Sequence, residues 1–301
     1  MPLATITAPG ALTVQPRSLN TTIWSNSIPQ PQFNATNYGH YQSGGGDAYT
    51  IDVDSRIHKL TNRAASGGQP VSFAPAFPNS TYQLEFFGPA LKCSTSTNDS
   101  LLTELSVKLD MFGGYTVVDF AAWTNSWDEY FSRGPSETAI TLSDEEARIV
   151  VLTNTGTWDR AYNWTDELQP GGSMGTLAGR SRQVNVTECV LHNATYTIDF
   201  SFRYPNETRK VTISKWLNTV AIANIPTERE DASVSYLAIM EALGKMLVGN
   251  ATHSHYGSYT DHLTNWRLIE IDWSDGEAVR GGLESLFQNI TLSLLSDSGL
   301  T

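Results

Sequence analysis

A cluster of possible metal ligands lies in the last fifth of the chain. His253, His255, Asp261 and His262 fall within ten residues. A His-X-His pair on a strand places both imidazoles on one face, an arrangement that some zinc sites use. The spacing matches no defined zinc motif, and the serines, tyrosines and glycine around these residues are typical of a polar loop. We therefore expect neither a metal nor a cofactor, and a metal-dependent enzyme that uses this cluster is an alternative function.

A second segment matches a nucleophile motif of hydrolases. Residues 171–175 have the Gly-X-Ser-X-Gly pattern around Ser173, in which a buried strand delivers the serine to a strained turn before a helix. The preceding Leu-Gln-Pro at 168–170 is no buried strand, and Gly179 interrupts the residues that follow. The pattern predicts a flexible loop, so we expect no catalytic role for Ser173.

Aromatic residues and carboxylates are concentrated between residues 123 and 164. Aromatic platforms beside carboxylates bind sugars, and two carboxylates about 5–10 Å apart hydrolyse glycosides. Large aromatic side chains more often anchor a core. An extracellular glycan-acting hydrolase is therefore a second alternative function. The residues concerned are Trp123, Trp127, Asp128, Glu129, Tyr130, Phe131, Trp158, Asp159, Tyr162 and Trp164.

Composition narrows the class of protein. The 301 residues carry a formal net charge of −12, with 40% hydrophobic and 17% charged residues, which is typical of a globular chain. The acidic balance argues against a nucleic-acid partner, because such a partner requires a basic face. No apolar run reaches the roughly 18 residues of a transmembrane helix. The first residues, broken by Pro2 and Pro9, lack the pattern of a signal peptide.

Acceptors for N-glycosylation are in excess. Ten Asn-X-Ser/Thr triplets occur, whereas chance placement of 18 Asn in a chain with 62 Ser plus Thr predicts about four. Such triplets are used only in a secreted or lumenal chain, where the glycan keeps the site at the surface. The excess predicts an extracellular or lumenal, N-glycosylated protein. The acceptors are Asn20, Asn34, Asn79, Asn98, Asn163, Asn185, Asn193, Asn206, Asn250 and Asn289.

The two cysteines of the chain allow one pairing. In an oxidising compartment Cys93 and Cys189 would close a loop of about a hundred residues, which stabilises a fold by about 4–5 kcal/mol in the chain-entropy treatment. Two separate buried thiols are the alternative that these residues leave open.

Strands dominate the middle of the chain. Residues 1–46 contain five prolines and end in three glycines, which predicts an extended N-terminal arm. One domain is expected over 47–296, and 297–301 has the composition of a linker. Strict alternation of apolar and polar residues over 195–204 predicts the second strand of a hairpin at 184–204, with its turn at 192–194.

Helices are predicted on both flanks of these strands. Asp54 or Ser55 begins one that ends at Gly67-Gly68, and Asn98 begins a second. Helical spacing predicts two more at 235–248 and 282–296. The chain is therefore expected to form an α+β fold, with an antiparallel β-rich, sandwich-like body and three or four amphipathic helices.

Four blocks of sequence resemble one family. They are residues 11–14 (ALTV), 82–93 (YQLEFFGPALKC), 188–196 (ECVLHNATY) and 286–296 (LFQNITLSLLS). The chain resembles the large non-cytoplasmic region of fungal multi-span membrane proteins of unknown function, over residues 10–296. The resemblance implies membrane spans on both sides of this region. It also favours a disulfide between the two cysteines, because each lies in one of the shared blocks.

Members of this family are sometimes labelled formylmethionine deformylase-like. A peptide deformylase holds its metal with His-Glu-X-X-His and a cysteine. No histidine of this chain is followed by glutamate, so the resemblance carries over no catalytic residue.

We therefore expect a non-catalytic extracellular or lumenal domain of an integral membrane protein, at the plasma membrane or in the secretory pathway. Its expected role is ligand binding, sensing or adhesion, with a glycan or a protein as ligand. A domain inserted between two spans also requires both chain ends to leave the body on one side.

Overall fold

The structure of the protein is a computed structural model. It describes residues 30–33, 35–43, 49–72, 80–103, 105, 116–124, 146–154, 184–203, 206–222, 232–254, 257–261, 271–273 and 275–301.

The described elements form an α+β fold in which each strand pair is antiparallel, as predicted. The helices are α1 (Ala35–Tyr38), α2 (Ser55–Gly67), α3 (Ala232–Leu247) and α4 (Gly276–Ser293), and a 3₁₀ turn at Leu294–Ser296 continues α4. Residues 99–103 and 105 are also helical, as the predicted helix start at Asn98 requires. The strands are β1 (Gly39–Ser43), β2 (Tyr49–Val53), β3 (Thr81–Thr95), β4 (Thr116–Thr124), β5 (Arg148–Asn154), β6 (Val184–Arg203), β7 (Asn206–Thr219), β8 (Gly249–Ser254) and β9 (Gly257–Asp261).

The 20-residue strand β6 organises a seven-stranded sheet. On one side β3 pairs with it from Thr81↔Ser201 to Thr95↔Thr187. On the other side β5 pairs with its first half and β7 with its second half. Strands β4, β8 and β9 extend the sheet beyond β5, while β1 and β2 form a separate two-stranded sheet.

The two partners on that second side of β6 meet at Leu191. The N–H of Leu191 donates to the carbonyl of Ala147 at 2.8 Å, and its carbonyl accepts from the N–H of Val220 at 2.9 Å. The N–H of Ala147 in turn donates to the carbonyl of Val220 at 2.8 Å. This closed set of three hydrogen bonds joins the start of β5 to the end of β7, so both halves of the sheet are held by one residue of β6.

The prediction of a turn at 192–194 is wrong, because β6 runs straight through these residues. Asn193 pairs with Pro89 in the β3–β6 ladder. The irregularity that resembles a turn is a register shift against β7, between His192 and Ala194. The hairpin of this region is instead β6–β7, whose innermost pair is Arg203↔Asn206.

The helix predicted after Asp54 is confirmed as α2. The Asp54 carboxylate accepts from the N–H of Arg56 at 2.8 Å, which satisfies one of the free donors at the start of a helix. Gly68 ends the helix in the left-handed conformation, with φ at 61°, a backbone state that glycine adopts without steric cost.

α3 and α4 pack on one face of the large sheet, and the helical residues around Leu101 and Leu105 pack on the other. The predicted stripe of α4 faces inward, since Leu283, Leu286, Phe287, Ile290 and Leu294 are all buried. Burial of side chains of this size stabilises the fold by about 1.5–3 kcal/mol each before ordering costs. α3 differs from its amphipathic prediction, because thirteen of its sixteen residues are buried. It contacts α1, α2 and β2 as well as β4, so it has no solvent-facing side.

α4 also covers the outer edge of β3. The N–H of Cys93 donates to the Glu284 carboxylate at 2.7 Å. The carbonyl of Pro89 accepts from the hydroxyls of Thr291 at 3.0 Å and Tyr196 at 2.7 Å. Pro89 lacks an N–H, and a strand edge is where a sheet tolerates proline. The edge that would otherwise expose polar groups is thus bonded to the helix.

Both predicted chain extensions pack against the body where they are described. In the predicted arm, β1 pairs with β2 and Tyr38 is fully buried. In the predicted linker 297–301, Leu300 is only 1% exposed. The N–H of Gln32 donates to the carbonyl of Leu300 at 2.8 Å. Residues 30–33 and the C-terminal residues therefore run side by side. Residues 1–29 lie outside the described residues, so the expectation that both ends leave on one side stays a prediction.

The disulfide Cys93–Cys189 is confirmed. The two cysteines are direct cross-strand partners in β3 and β6, with Cα atoms 4.0 Å apart. Such a close approach belongs to the narrow pairs of an antiparallel ladder, which do not hydrogen-bond to each other. The Cys93 N–H accordingly points away from β6, to Glu284.

Loss of the disulfide is expected to destabilise the fold strongly. Because the bond closes a loop of 96 residues, the pair Cys93→Ala with Cys189→Ala should lower the free energy of unfolding by about 4–5 kcal/mol. Equilibrium denaturation with urea measures this change, and thiol reduction of the unmodified chain is the matched control. A double variant as stable as the oxidised parent would contradict the structural role.

Candidate functional site

The structure does not bring the described members of the histidine cluster together. His253 lies in β8 opposite Ser258, and Asp261 lies in β9 opposite Asn250. Two residue pairs of the hairpin therefore lie between them, while His255 and His262 lie outside the described residues. Within the described ranges, no three His, Cys, Asp or Glu side chains are grouped closely enough to hold a metal ion.

The other two candidate sites fall largely on residues that the structure does not describe. Ser173 is one of these, as are the aromatic residues and carboxylates between 127 and 164. Trp123 is described, in β4, and is 1% exposed among Leu101, Val150 and Leu152. This tryptophan is a core anchor and offers no platform to a sugar.

Six of the ten glycan acceptors lie within the described residues, and these occupy different parts of the sheet. Asn98 follows β3 and is exposed, and its side-chain oxygen accepts from the N–H groups of Ser100 and Leu101. Asn206 begins β7 at the opposite end of the sheet, and Asn250 lies in β8. Asn289 lies on α4, and its amide donates to the carbonyl of Gly68 at 3.1 Å. Asn20, Asn34, Asn79 and Asn163 lie outside the described residues.

The remaining two acceptors are held by neighbouring elements. The Asn185 amide nitrogen lies against Gly276 at the start of α4, so close that a Cβ atom at this position would clash with it. Asn193 lies mid-strand in β6, and its side-chain oxygen accepts from the hydroxyl of Tyr236, a buried residue of α3, at 3.2 Å. A glycan on Asn185 would have to displace the start of α4, and one on Asn193 would be attached to the same amide group that Tyr236 bonds.

A shallow groove of about 430 Å³ crosses β3, β6 and β7 at the end of the sheet near the β6–β7 hairpin. We call it the polar groove. Two rows of cross-strand partners cross this end of the sheet. The first row is Thr81–Ser201–Thr208, and the second is Gln83–Asp199–Lys210. Apart from Gln83, these residues line the polar groove, together with Tyr82, Phe200 and Arg209, whose side chains alternate to the other face of the sheet.

The polar groove combines hydroxyls with charged groups on a rigid surface. Gln83 donates from its amide nitrogen to the Asp199 carboxylate at 2.8 Å, which fixes the orientation of that carboxylate. Asp199 and Lys210 are direct cross-strand partners, so opposite charges face each other in the second row. Below this surface Tyr82 stacks on Phe202 and packs against Phe200. The arrangement suits hydrogen bonding to a polyhydroxylated ligand on an open surface.

A second polar group surrounds His192, next to the junction at Leu191. The His192 ring meets Trp216 edge-on at a centroid distance of 5.4 Å, and the Lys92 ammonium lies 5.9 Å from the same indole ring. Burial lowers the pKa of His192, and the Lys92 charge lowers this pKa further, against the opposing effect of Glu146. The neutral imidazole is therefore the form that the fold prefers.

Sequence reasoning missed both of these groups. The alternation over β6 does predict that Asp199 and Ser201 share a solvent face, because alternate residues of a strand point to the same side. The partners of Asp199 and Ser201 lie on β3 and β7, and β3 is more than a hundred residues away in the chain. No local pattern in the sequence encodes that register. The sequence pattern predicts a turn at His192 and gives no sign of its contact with Trp216.

Comparison of the chain with protein-family models, curated proteins and solved structures finds no match. Among the described residues, no helix is both long and apolar enough to cross a membrane.

The fraction of each acceptor asparagine that carries a glycan should depend on how closely its side chain packs against other elements. Asn193 is expected to be unmodified, because a glycan there would press on Tyr236 inside the core, whereas the exposed Asn98 should be modified. Mass spectrometry of glycopeptides from protein made in a eukaryotic secretory host measures both sites. Full occupancy of Asn193 in folded protein would contradict the packing seen here.

Stability is expected to fall as the pH is lowered from about 7 towards 5.5. The pKa values of His192 and His58 are lowered by burial in the folded state, so the unfolded chain, with histidine pKa values near 6.5, takes up protons first. The free energy of unfolding, measured with urea at each pH, should depend less steeply on pH in His192→Gln than in the parent. His58→Gln is the matched comparison. If a variant with both substitutions showed the same pH dependence of stability as the parent, this link between histidine protonation and unfolding would be contradicted.

Proposed function

We propose that this chain is an extracytoplasmic, N-glycosylated domain of a membrane protein that binds a ligand without catalysing a reaction. In this proposal the membrane spans flank the domain and lie outside the present sequence. The observation that carries the proposal is the disulfide between Cys93 and Cys189.

The disulfide supports an oxidising compartment. Structural disulfides persist in secreted and lumenal proteins and are rare in the cytosol. Cys93–Cys189 lies inside the sheet, and Cys189 has no exposed surface, which is typical of a permanent structural bond. The ten acceptor triplets point to the same compartment by independent chemistry.

The course of the chain supports insertion between two flanking segments. Gln32 and Leu300 are hydrogen-bonded to each other, so the chain enters and leaves the described body at one place. A domain with neighbouring ends can be inserted between two membrane spans without distortion of its fold.

The surface supports binding. The polar groove presents hydroxyls and oriented charges on an open face of the sheet. Group-transfer chemistry favours a site that excludes water, whereas an open, rigid polar surface suits recognition of a hydrophilic ligand such as a glycan.

Expression through a secretory route tests the compartment. The chain, preceded by a cleavable signal sequence in a eukaryotic host, should migrate well above its polypeptide mass of 33.0 kDa. Enzymatic removal of amide-linked glycans should restore that mass, because the acceptors would then be bare. Non-reducing electrophoresis after proteolysis between residues 93 and 189 should leave the two fragments joined.

The same chain made in the cytosol is the matched control, and there it should show neither the mass excess nor the joined fragments. If the secreted protein migrates at 33.0 kDa before any enzyme is added, the proposed compartment is wrong.

A further inference from the structure

Two glycan acceptor triplets end in the polar groove. Thr208 is the third residue of Asn206-Glu207-Thr208, and Thr81 is the third residue of Asn79-Ser80-Thr81. Both threonines are cross-strand partners of Ser201, one on each side of β6. The first row of the polar groove is therefore built from the hydroxyls of two acceptor triplets with one serine between them.

The described acceptor of this pair is within short reach of the polar groove. Asn206 begins β7 as the partner of Arg203 and precedes Thr208 by two residues. Two residues of extended strand span about 7 Å. Because alternate residues of a strand share a face, a glycan on Asn206 starts on the face of β7 that also carries Thr208.

The polar groove offers the two kinds of contact that a sugar can use. Its rows carry hydroxyls, an amide-bonded carboxylate and an ammonium group, which suit the alternating donors and acceptors of a sugar ring. Its lining also includes apolar surface, with Tyr82 and Phe200 among the lining residues, and the C–H groups of a sugar can pack against such surface.

Tethering removes the need for strong individual contacts. A group linked by a short flexible connection has an effective concentration in the millimolar range. Contacts that are too weak to retain a free sugar are then sufficient to hold an attached one.

We propose that the N-glycan on Asn206 folds into the polar groove and is bound there as an intramolecular ligand. This inference rests on the proposed glycosylation. The bound glycan contacts the Thr81–Ser201–Thr208 row and the Asp199–Lys210 pair, and it covers the end of the sheet that the β6–β7 hairpin forms. A glycan at Asn98, at the other end of β3, has no such groove described beside it and extends into solvent.

Amide hydrogen exchange on the glycosylated protein tests this binding. An endoglycosidase that leaves one sugar on each acceptor trims the glycans without unfolding the protein. Trimming should raise the exchange rates of residues 206–210 about tenfold, because the bound glycan no longer restrains the hairpin. Exchange in residues 98–103 should not change, which makes the Asn98 region the internal control.

A groove variant separates binding from mere presence of the glycan. Asp199→Ala with Ser201→Ala removes contacts but leaves both acceptor triplets intact. In the untrimmed variant, residues 206–210 should exchange as fast as in the trimmed parent, and trimming should add nothing. In an Asn206→Gln background, the same pair of substitutions should leave the exchange of residues 206–210 unchanged.

Occupancy of Asn206, measured by mass spectrometry on the same sample, distinguishes the possible failures. An occupied Asn206 whose trimming leaves exchange unchanged overturns the inference. An unoccupied Asn206 beside occupied acceptors elsewhere also overturns it and leaves the proposed function standing. Absence of glycan from all acceptors overturns the proposed function and this inference together.

Discussion

The architecture depends on one strand, β6, that changes partners at Leu191. Both backbone groups of Leu191 are used, the N–H by Ala147 of the β5 side and the carbonyl by Val220 of the β7 side. On its other edge β6 has a single partner, β3, along its described length from Thr187 to Ser201. β3 therefore pairs continuously across the point where the partner on the other edge of β6 changes from β5 to β7. The disulfide links β3 to β6 two residues from Leu191. Since the loop it closes spans 96 residues, the bond removes much of the freedom of the unfolded chain at the position where the sheet has least continuity.

Local sequence patterns predict the structure correctly where an element depends on interactions between residues close in the sequence. The caps of α2 at Asp54 and Gly68 and the inward stripe of α4 follow from short-range chemistry, because capping and helical periodicity involve residues within a few turns. The prediction of a turn at 192–194 is wrong for the opposite reason. Polar residues in mid-strand usually indicate a turn, but Asn193 finds its partner in Tyr236 and His192 packs on Trp216. Those partners come from α3 and β7, which a window on β6 does not contain.

The same reasoning explains the ends of the chain. Prolines and glycines before residue 46 predict an extended backbone, and the described part contains the short helix α1 followed by the short strand β1. An extended arm is expected to lack packing against the body. In the structure, however, β1 pairs with β2 and Tyr38 is buried. This small sheet lies over α3, which is why α3 has no polar face and departs from its amphipathic prediction. Composition predicts how a segment is shaped, but its burial depends on what lies across from it.

The polar groove shows how far a candidate site can be derived before the register of the sheet is known. Each acceptor triplet is visible in the sequence, and so is the alternation that puts Asp199 and Ser201 on one face of β6. What joins them is the register, since a shift of one residue would turn every side chain of β3 to the other face. Aromatic stacking on the opposite face restrains that register, because Tyr82 packs on Phe200 and Phe202. The packed aromatic residues therefore help to set the register that brings the exposed hydroxyls together.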